Sequence, residues 1–425
     1  MKAPSSYRIG FVSTRLAGTD GVSLEARKWV QVLEQYGHTC FYLAGELEYP
    51  PERSYLVPEA HFKHEDIQTI NEALFGQIHR TPTITDHVQH LKDYLKRHLY
   101  NFVRSFGLDM LIAENAISLP MNVPLGLAIA EYIAETAIST IGHHHDFYWE
   151  RKRYLRSAAV DYLRAAFPPA LPSITHVVIN SYAASQLAER VSVTSTLIPN
   201  VMDFDTPPPE PDEYAADIRE ELGLEAEEYF ILQPTRIVPR KRIERAIELV
   251  RRLDLPAALV ISHSSGDEGT EYENYLREYA ALMQVKVIFA YDRVNHNRGL
   301  TPDGRKIYSL ADIYTAADLV TYPSLIEGFG NAFLETIYYK RPIVMSRYEI
   351  FLLDIEPKGF RVIAFDEFIG EDTVAAARRA LTDKAFVEEM VSHNFELGKR
   401  YYSFHILESR LPAVIHECLG TCEKL

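Results

Sequence analysis

The sequence has 425 residues, which is enough chain for two or three domains and at least one large hydrophobic core. Its composition, 47% apolar and 24% charged, is that of a folded globular protein and excludes a largely disordered chain. A formal net charge of −15 argues against a general affinity for nucleic acid or for anionic lipid surfaces.

The cysteine content and the first residues of the sequence lead us to expect a cytoplasmic protein. Three cysteines are too few for a disulfide framework, and the N-terminal segment has no apolar run typical of a secretory signal. The longest apolar segment, residues 123–138, contains Glu131 and Glu135, so we expect no helix that spans a membrane. Contact with a membrane surface through a local patch stays open, and the sequence does not indicate the oligomeric state.

The first half of the sequence alternates strand and helix patterns. A strand is predicted over residues 7–14, followed by a loop with Gly18 and Gly21, a helix that ends near Gly37, and a second strand, CFYLAG. This order is the βαβ unit, which produces a parallel sheet covered by helices. Further strands are predicted over residues 110–113, 137–142, 176–180 and 195–198.

The second half repeats this alternation after a stiff polar segment. Residues 204–213, FDTPPPEPDE, are rich in proline and acidic residues and are predicted to form a linker between domain 1–203 and domain 214–400. Strands are then predicted over YFILQPTR and over residues 258–262, 286–290, 319–322 and 342–346. Because parallel sheets bind ligands beyond the carboxyl ends of their strands, we expect a site in a cleft between the two units.

The segment PSLIEGFGNAFLETIYYKR carries the most informative chemistry. Gly328 and Gly330 would let backbone amides approach a ligand, and a helix that starts near Asn331 adds partial positive charge, which suits phosphate or sugar oxygens. Glu327 and Glu335 are eight residues apart, or about 12 Å along a helix. The two carboxylates of a glycosidase lie roughly 5 to 10 Å apart, so this spacing instead indicates two ends of an extended ligand.

The run EGFGNAFLE resembles the E-x7-E signature of retaining GT-B glycosyltransferases of family four. The resemblance implies that Glu335 binds the ribose hydroxyls of a donor nucleotide and that Glu327 faces the transferred sugar. It also implies that the residues between them line the sugar and the diphosphate through their backbone amides, namely Gly328, Phe329, Gly330 and Asn331.

A second segment, PTRIVPRKRIERAIE, resembles the G-R-L-x-x-x-K-G segment of the same family, with the spacing from Arg236 to Lys241 preserved. Negative charge develops on a nucleoside diphosphate leaving group as the glycosidic bond breaks, and two fixed cations would stabilise it. No divalent metal is then needed. Pro234 and Arg242 stand where many members of the family have glycines.

The histidine run GHHHDFYWER follows a predicted strand. Because neighbouring residues of a strand point to opposite faces, His143 and His145 are predicted to face together while His144 faces away. A zinc site would need further ligands that the sequence does not supply, so no metal site is expected. The family resemblance implies one histidine beside the transferred sugar. Its usual H-D pair favours His145 with Asp146, whereas a one-residue shift would select His144, so both stay candidates.

Weaker matches extend the resemblance over most of the sequence. The segment GTDGV, with Gly18 and Gly21, resembles the family's glycine loop that approaches the donor phosphates or the acceptor. By analogy with relatives, the helical segment 401–425 is expected to pack back on the first domain. Residues 47–108 match no motif and are expected to carry acceptor-side or lid features, and Glu114 with Asn115 is a candidate acceptor contact.

The resemblance therefore implies an α/β protein of the GT-B fold, with two Rossmann-like domains facing each other across a cleft. The implied activity transfers a hexose, glucose or mannose, from a GDP-, UDP- or ADP-sugar to a small soluble acceptor with retention of configuration and without a metal cofactor. The stretch SLIEGFGNAFLETIYYKRPIV and the histidine run HHHDFYWER also resemble relatives that make compatible-solute glycosides such as mannosylated glucosylglycerate. The alternatives are a glycoside phosphorylase of the same fold, a non-catalytic nucleotide-sugar-binding protein and a metal-dependent hydrolase.

Overall fold

The computed structural model of the protein describes residues 6–18, 20–266 and 269–422. For residues 421 and 422 it describes the backbone alone. The described chain forms two α/β units. The first unit contains the chain up to Val201 together with the segment from Phe404 onward, and the second unit contains Met202–Ser403.

A seven-stranded sheet forms the centre of the first unit. Its strands are β1 (Arg8–Val12), β2 (Thr39–Ala44), β3 (Ser54–Leu56), β4 (Met110–Glu114), β5 (Thr140–His144), β6 (Ile174–Val178) and β7 (Ser195–Leu197). The strand order is β3-β2-β1-β4-β5-β6-β7, and all neighbours pair in parallel. Strand β4 is buried along its whole length, which explains its continuous apolar sequence before Glu114.

Helices cover both faces of this sheet. They are α1 (Gly21–Gln35), α2 (Glu65–Leu74), α3 (Pro82–Phe106), α4 (Val123–Thr136), α5 (Lys152–Leu155), α6 (Val160–Ala166), α7 (Ser181–Val191) and, from the end of the chain, α15 (Phe404–Cys422). Strand β1 places Ile9 and Phe11 in a core with α1 and α15, and Val12 in a second core with α3 and α4. The unassigned segment 47–108 therefore supplies an edge strand and a covering helix of this unit.

The second unit is built on a six-stranded sheet. Its strands are β8 (Tyr229–Gln233), β9 (Ala257–Ile261), β10 (Lys286–Phe289), β14 (Leu319–Tyr322), β15 (Ile343–Ser346) and β16 (Ile363–Phe365). Their order is β10-β9-β8-β14-β15-β16, and all neighbours are parallel. A small separate sheet contains β11 (Val294–Asn295), β12 (Gly299–Leu300) and β13 (Lys306–Ser309). The helices are α8 (Ile218–Glu221), α9 (Ile243–Leu253), α10 (Glu271–Met283), α11 (Leu310–Ala316), α12 (Asn331–Tyr338), α13 (Glu371–Thr382) and α14 (Lys384–Tyr402).

The predicted fold class is confirmed, and the differences are local. The strand predicted over residues 137–142 begins at Thr140, because Ala137 adopts a left-handed conformation that ends α4. The strand predicted over residues 176–180 ends at Val178, because the Asn180 side chain accepts a hydrogen bond from the Ala183 amide and caps α7. Among the residues described, none of the helices is both long and apolar enough to cross a membrane.

Candidate functional site

The two sequence segments that carry the family resemblance meet at the carboxyl edge of the second sheet. Lys241 lies in the turn after β8, and Glu327 lies in the loop between β14 and α12. The Lys241 ammonium donates a hydrogen bond to Glu327 Oε1, and Arg240 lies 3.6 Å from Glu327 Oε2. Both side chains of the Lys241–Glu327 pair are only 10% exposed. The fold thus brings an acid and a cation that are 86 residues apart into one buried ion pair.

The charges around this pair act differently on its two members. Burial alone would raise the pKa of Glu327, but the positive charges of Lys241 and Arg240 outweigh it and hold this pKa below its usual value. Burial lowers the pKa of Lys241, and the neighbouring Arg240 and Arg236 lower it further against the attraction of Glu327. The site is therefore rich in positive charge around one carboxylate, although the whole chain is acidic.

His263 is a member of this cluster that sequence analysis missed. It follows β9, and its Nδ1 lies 2.9 Å from the Ser262 hydroxyl. Burial, together with the charges of Lys241 and Arg236, lowers its pKa to about 4. His263 is consequently a neutral group beside two cations, and sequence analysis could not single it out because a single histidine after a strand is common.

The loop before α12 requires glycine at position 330. Gly330 has a φ of +112°, and a Cβ atom there would lie 2.2 Å from the hydroxyl oxygen of Tyr348. That hydroxyl donates a hydrogen bond of 2.8 Å to the Phe329 carbonyl, while the Phe329 side chain is buried and packs against Tyr402. Gly328 belongs to the same loop, and Asn331 is the first residue of α12. The Phe329 side chain and carbonyl therefore both have partners within the protein.

Glu335 projects from α12 and is held by a residue that sequence analysis did not single out. The Tyr314 hydroxyl, on α11, donates a hydrogen bond of 2.8 Å to Glu335 Oε2. Tyr314 is fully buried and stacks on Tyr339 with ring centres 4.9 Å apart. The carboxylate of Glu335 is therefore fixed in orientation.

The turn that carries the cations keeps the backbone expected of a glycine. Arg242 adopts a left-handed conformation, with φ of 49°, directly before α9. This is one of the positions where the family usually has glycine, and the conformation explains that preference. The Arg242 side chain donates a hydrogen bond of 3.0 Å to the Glu367 carbonyl. Arg236 lies earlier in the same segment, and its guanidinium approaches Gly266.

In the first unit, the glycine loop leads into α1. Gly18 has a φ of +71°, and Gly21 is the first residue of α1. Asp20 caps this helix by accepting hydrogen bonds from the amides of Val22 and Ser23. Thr19, in the middle of the loop, lies outside the described residues. The negative charge of Asp20 is therefore directed at the helix terminus and at Arg15, its partner in an ion pair.

The three consecutive histidines point to two faces, as strand alternation predicts. His144 is fully buried, and its ring nitrogens lie 2.9 Å from the Ser118 hydroxyl and from His176. Burial lowers the pKa of His144 well below its usual value. His143 and His145 lie on the other side, with ring centres 4.3 Å apart. His144 is thus a core residue, whereas His145 retains 7% exposure.

Glu114 and Asn115 differ from the acceptor contacts expected of them. Glu114 is completely buried and bonds to His143 and His145. The Asn115 side-chain oxygen accepts hydrogen bonds from the backbone amides of His145 and Asp146. Both side chains are therefore used to hold the histidine segment.

Comparison with known proteins identifies the family. No protein-family model matches the sequence. The chain is 32% identical to the mannosylglucosylglycerate synthase of Thermotoga maritima, in an alignment that covers 95% of this chain and 98% of that protein. It is 33% identical to the mannosylglucosylglycerate synthase of Petrotoga mobilis, with 84% of this chain and 86% of that protein covered.

Solved structures agree on the fold. Sucrose-phosphate synthase from Thermosynechococcus elongatus matches with a TM-score of 0.68 and 16% identity, covering 97% of this chain and 99% of that one. The Anabaena protein HepE in complex with UDP-glucose matches with a TM-score of 0.62 and 12% identity, covering 99% of this chain and 100% of that one. The chain therefore belongs to the family of the mannosylglucosylglycerate synthases and is a glycosyltransferase with two Rossmann-like domains of the GT-B type.

Proposed function

We propose that the protein transfers a hexose from a nucleoside diphosphate sugar to a hydroxyl of a small soluble acceptor, with retention of configuration and without a metal cofactor. The names of its relatives further support mannose as the hexose and glucosylglycerate as the acceptor. The observation that carries the proposal is the buried Lys241–Glu327 pair in the loop that leads to Glu335. This arrangement groups cations for a diphosphate with carboxylates for hydroxyl groups.

Each part of the donor has a partner in this site. The carboxylate of Glu335 would accept hydrogen bonds from the ribose hydroxyls, and Glu327 would accept them from the hexose. Arg236 and Lys241 would bind the diphosphate together with the backbone amides from Gly328 to Asn331 at the start of α12. In the first unit, His145 and the loop of Gly18 and Gly21 would contact the transferred sugar and the donor phosphates.

The transfer step would be driven by stabilisation of the leaving group. The bond between the anomeric carbon and the phosphate oxygen breaks, and the acceptor oxygen bonds to the same face of that carbon. The acceptor proton passes to the leaving phosphate, which balances the step. Arg236 and Lys241 stabilise the charge that develops on the phosphate. Like the donors of an oxyanion hole, fixed cations of this kind lower the free energy of the transition state by roughly several kcal/mol.

The identity of the relatives favours this reading over phosphorolysis or nucleotide-sugar binding without turnover. We further place the protein in the cytoplasm, where nucleotide sugars are made. The acidic net charge suits a soluble acceptor better than a lipid.

The test is product analysis with purified protein. GDP-, UDP- and ADP-mannose and the corresponding glucose donors are incubated with glucosylglycerate in the presence of a chelator, and the anomeric configuration of the product is read by NMR. We expect one donor to be consumed and an α-linked product to form from an α-linked donor. Product formed only with inorganic phosphate would establish the phosphorylase, binding without turnover would establish a binding protein, and loss of activity with the chelator would contradict metal independence.

A further inference from the structure

Glu114 lies close enough to His145 to influence the protonation and the orientation of its ring. Strands β4 and β5 are adjacent, and Glu114 pairs with His143 in their register. His145 follows two residues later and therefore returns to the same face. The carboxylate lies 2.9 Å from His143 Nδ1 and 3.3 Å from His145 Nε2, both through Oε2. One carboxylate thus holds both imidazoles.

The burial of these three groups constrains their total charge. Glu114 is 0% exposed and His143 is 1% exposed, so the cluster is removed from water. A buried carboxylate without a compensating positive charge is strongly destabilised. Two neutral imidazoles would leave one negative charge, and two protonated imidazoles would leave one positive charge. The neutral cluster contains a single imidazolium.

The surroundings place that charge on His145. His143 is the more deeply buried ring, 1% exposed against 7% for His145, and burial lowers the pKa of His143. Burial also acts against the charge on His145, but Glu114, Glu25 and Asp146 outweigh it and raise the pKa of His145. The same two imidazoles lower the pKa of Glu114 to about 2 against the effect of its burial.

The other charged groups near this cluster are paired. Glu25 of α1 forms an ion pair of 2.5 Å with Lys28, and Asp146 forms one of 2.8 Å with Arg151. Tyr49, which also faces Glu114, is neutral because burial raises its pKa to about 12. Glu114 is therefore the direct partner that decides the charge of His145.

We propose that Glu114 is a positioning residue of the transfer reaction, which keeps His145 protonated and directs Nε2 inward so that Nδ1–H faces the ligand. This inference rests on the proposed function, in which His145 contacts the transferred sugar. Within the described chain, no residue is hydrogen-bonded to Nδ1 of His145. An imidazolium cannot remove the acceptor proton, so the proton must pass to the leaving phosphate, as the retaining front-face reaction requires.

The test compares the pH dependence of the intact enzyme and its Glu114→Gln variant. In the wild type, the raised pKa keeps His145 charged to a higher pH than an ordinary histidine, and kcat/KM should fall on the alkaline side as this charge is lost. Glutamine keeps the shape but removes the charge, so the alkaline fall should move to lower pH by about one to three pH units. Glu72→Gln, an exposed glutamate of α2, is the matched control and should leave the profile unchanged.

A direct measurement separates this inference from the proposed function. Nitrogen-15 NMR of the wild-type protein, with the His145 signal assigned by its loss in His145→Gln, should show that this imidazole loses its proton at a higher pH than an unperturbed histidine. A wild-type His145 that loses its proton at the pH of an unperturbed histidine, or below it, would overturn the inference even if Glu114→Gln does not fold. An unshifted pH profile with a lower kcat in Glu114→Gln would also overturn the inference. A stoichiometric metal ion in the purified protein would overturn it as well. Absence of any sugar transfer would overturn the proposed function and leave the NMR result standing.

Discussion

Tyr314 fixes the carboxylate to which we assign the ribose. Its hydroxyl donates to Glu335 Oε2 at 2.8 Å from a fully buried position. The Tyr314→Phe variant loses that hydrogen bond and lets Glu335 rotate. A hydrogen bond to a charged group contributes about 1.5 kcal/mol or more, so we expect nucleotide affinity to fall about tenfold.

Calorimetric titration with the nucleoside diphosphate measures this effect. Tyr339→Phe is the matched control, because Tyr339 belongs to the same aromatic stack and no described residue accepts a hydrogen bond from its hydroxyl. The Glu335→Ala variant lacks the carboxylate and therefore shows how much nucleotide affinity is lost when this interaction is removed completely. If Tyr314→Phe binds the nucleotide as tightly as the wild type, Tyr314 does not orient Glu335 for the donor.

The ion pair between Lys241 and Glu327 makes a different prediction. A diphosphate must compete with Glu327 for Lys241, and the hexose then offers hydroxyl groups to Glu327. In Glu327→Gln the competition is lost, so the nucleoside diphosphate alone should bind several-fold more tightly, while the intact nucleotide sugar loses affinity and turnover falls. Competition binding with both ligands measures the two effects.

The control for Glu327→Gln is Glu389→Gln. Glu389 forms an exposed ion pair with Arg361 in the same unit, and such pairs contribute little. Its variant should bind both ligands like the wild type. A parallel loss of affinity for diphosphate and nucleotide sugar in Glu327→Gln would contradict the proposed competition.

At the scale of elements, the sequence predicted what periodicity and short motifs encode. The βαβ alternation is a local pattern, and it predicts the parallel sheets. The glutamate spacing and the Arg236–Lys241 spacing are also local patterns, and they predict the site. The roles of Tyr314, His263 and Glu114 could not be read in this way, because each arises where an element packs on another. The choice between His144 and His145 likewise depended on where β5 begins, and that depended on the left-handed Ala137 at the end of α4.

The loop before α12 gives a prediction at this scale. Gly330→Ala introduces a Cβ atom 2.2 Å from the Tyr348 hydroxyl and places alanine at a φ of +112°. Backbone strain of this kind costs roughly 1–3 kcal/mol, and the steric clash adds to it. We expect a lower free energy of unfolding, measured with denaturant, and weaker nucleotide binding.

Gly359→Ala separates strain from clash. Gly359 has a φ of +88°, and a Cβ atom there would meet nothing within 4 Å. The Gly359→Ala variant should be destabilised only by the backbone strain, and it should bind the nucleotide as tightly as the wild type. Equal losses of stability in the two variants would show that Tyr348 does not require glycine at position 330.

At the scale of the whole molecule, both ends of the described chain belong to the same unit. The second unit is a continuous segment, whereas the first unit needs α15 from the end of the chain to complete one of its cores. The five buried apolar residues of α15 in that core are Leu407, Leu411, Val414, Ile415 and Cys418. Full burial contributes about 1.5–3 kcal/mol for a large aliphatic side chain, so α15 contributes roughly as much as the net stability of a domain, about 5–15 kcal/mol.

This organisation predicts unequal behaviour of fragments. A chain of residues 202–403 should fold by itself, unfold cooperatively and bind the nucleoside diphosphate, because the cations, Glu327 and Glu335 all lie within it. A chain of residues 1–201 should lack cooperative unfolding, and a 404–425 segment joined to it through a flexible linker should restore that transition. Leu411→Ala in the full chain should lower stability by about 2–5 kcal/mol, and the exposed His416→Ala should not. Cooperative unfolding of residues 1–201 alone would show that α15 is dispensable, because the core that it covers would then be stable without it.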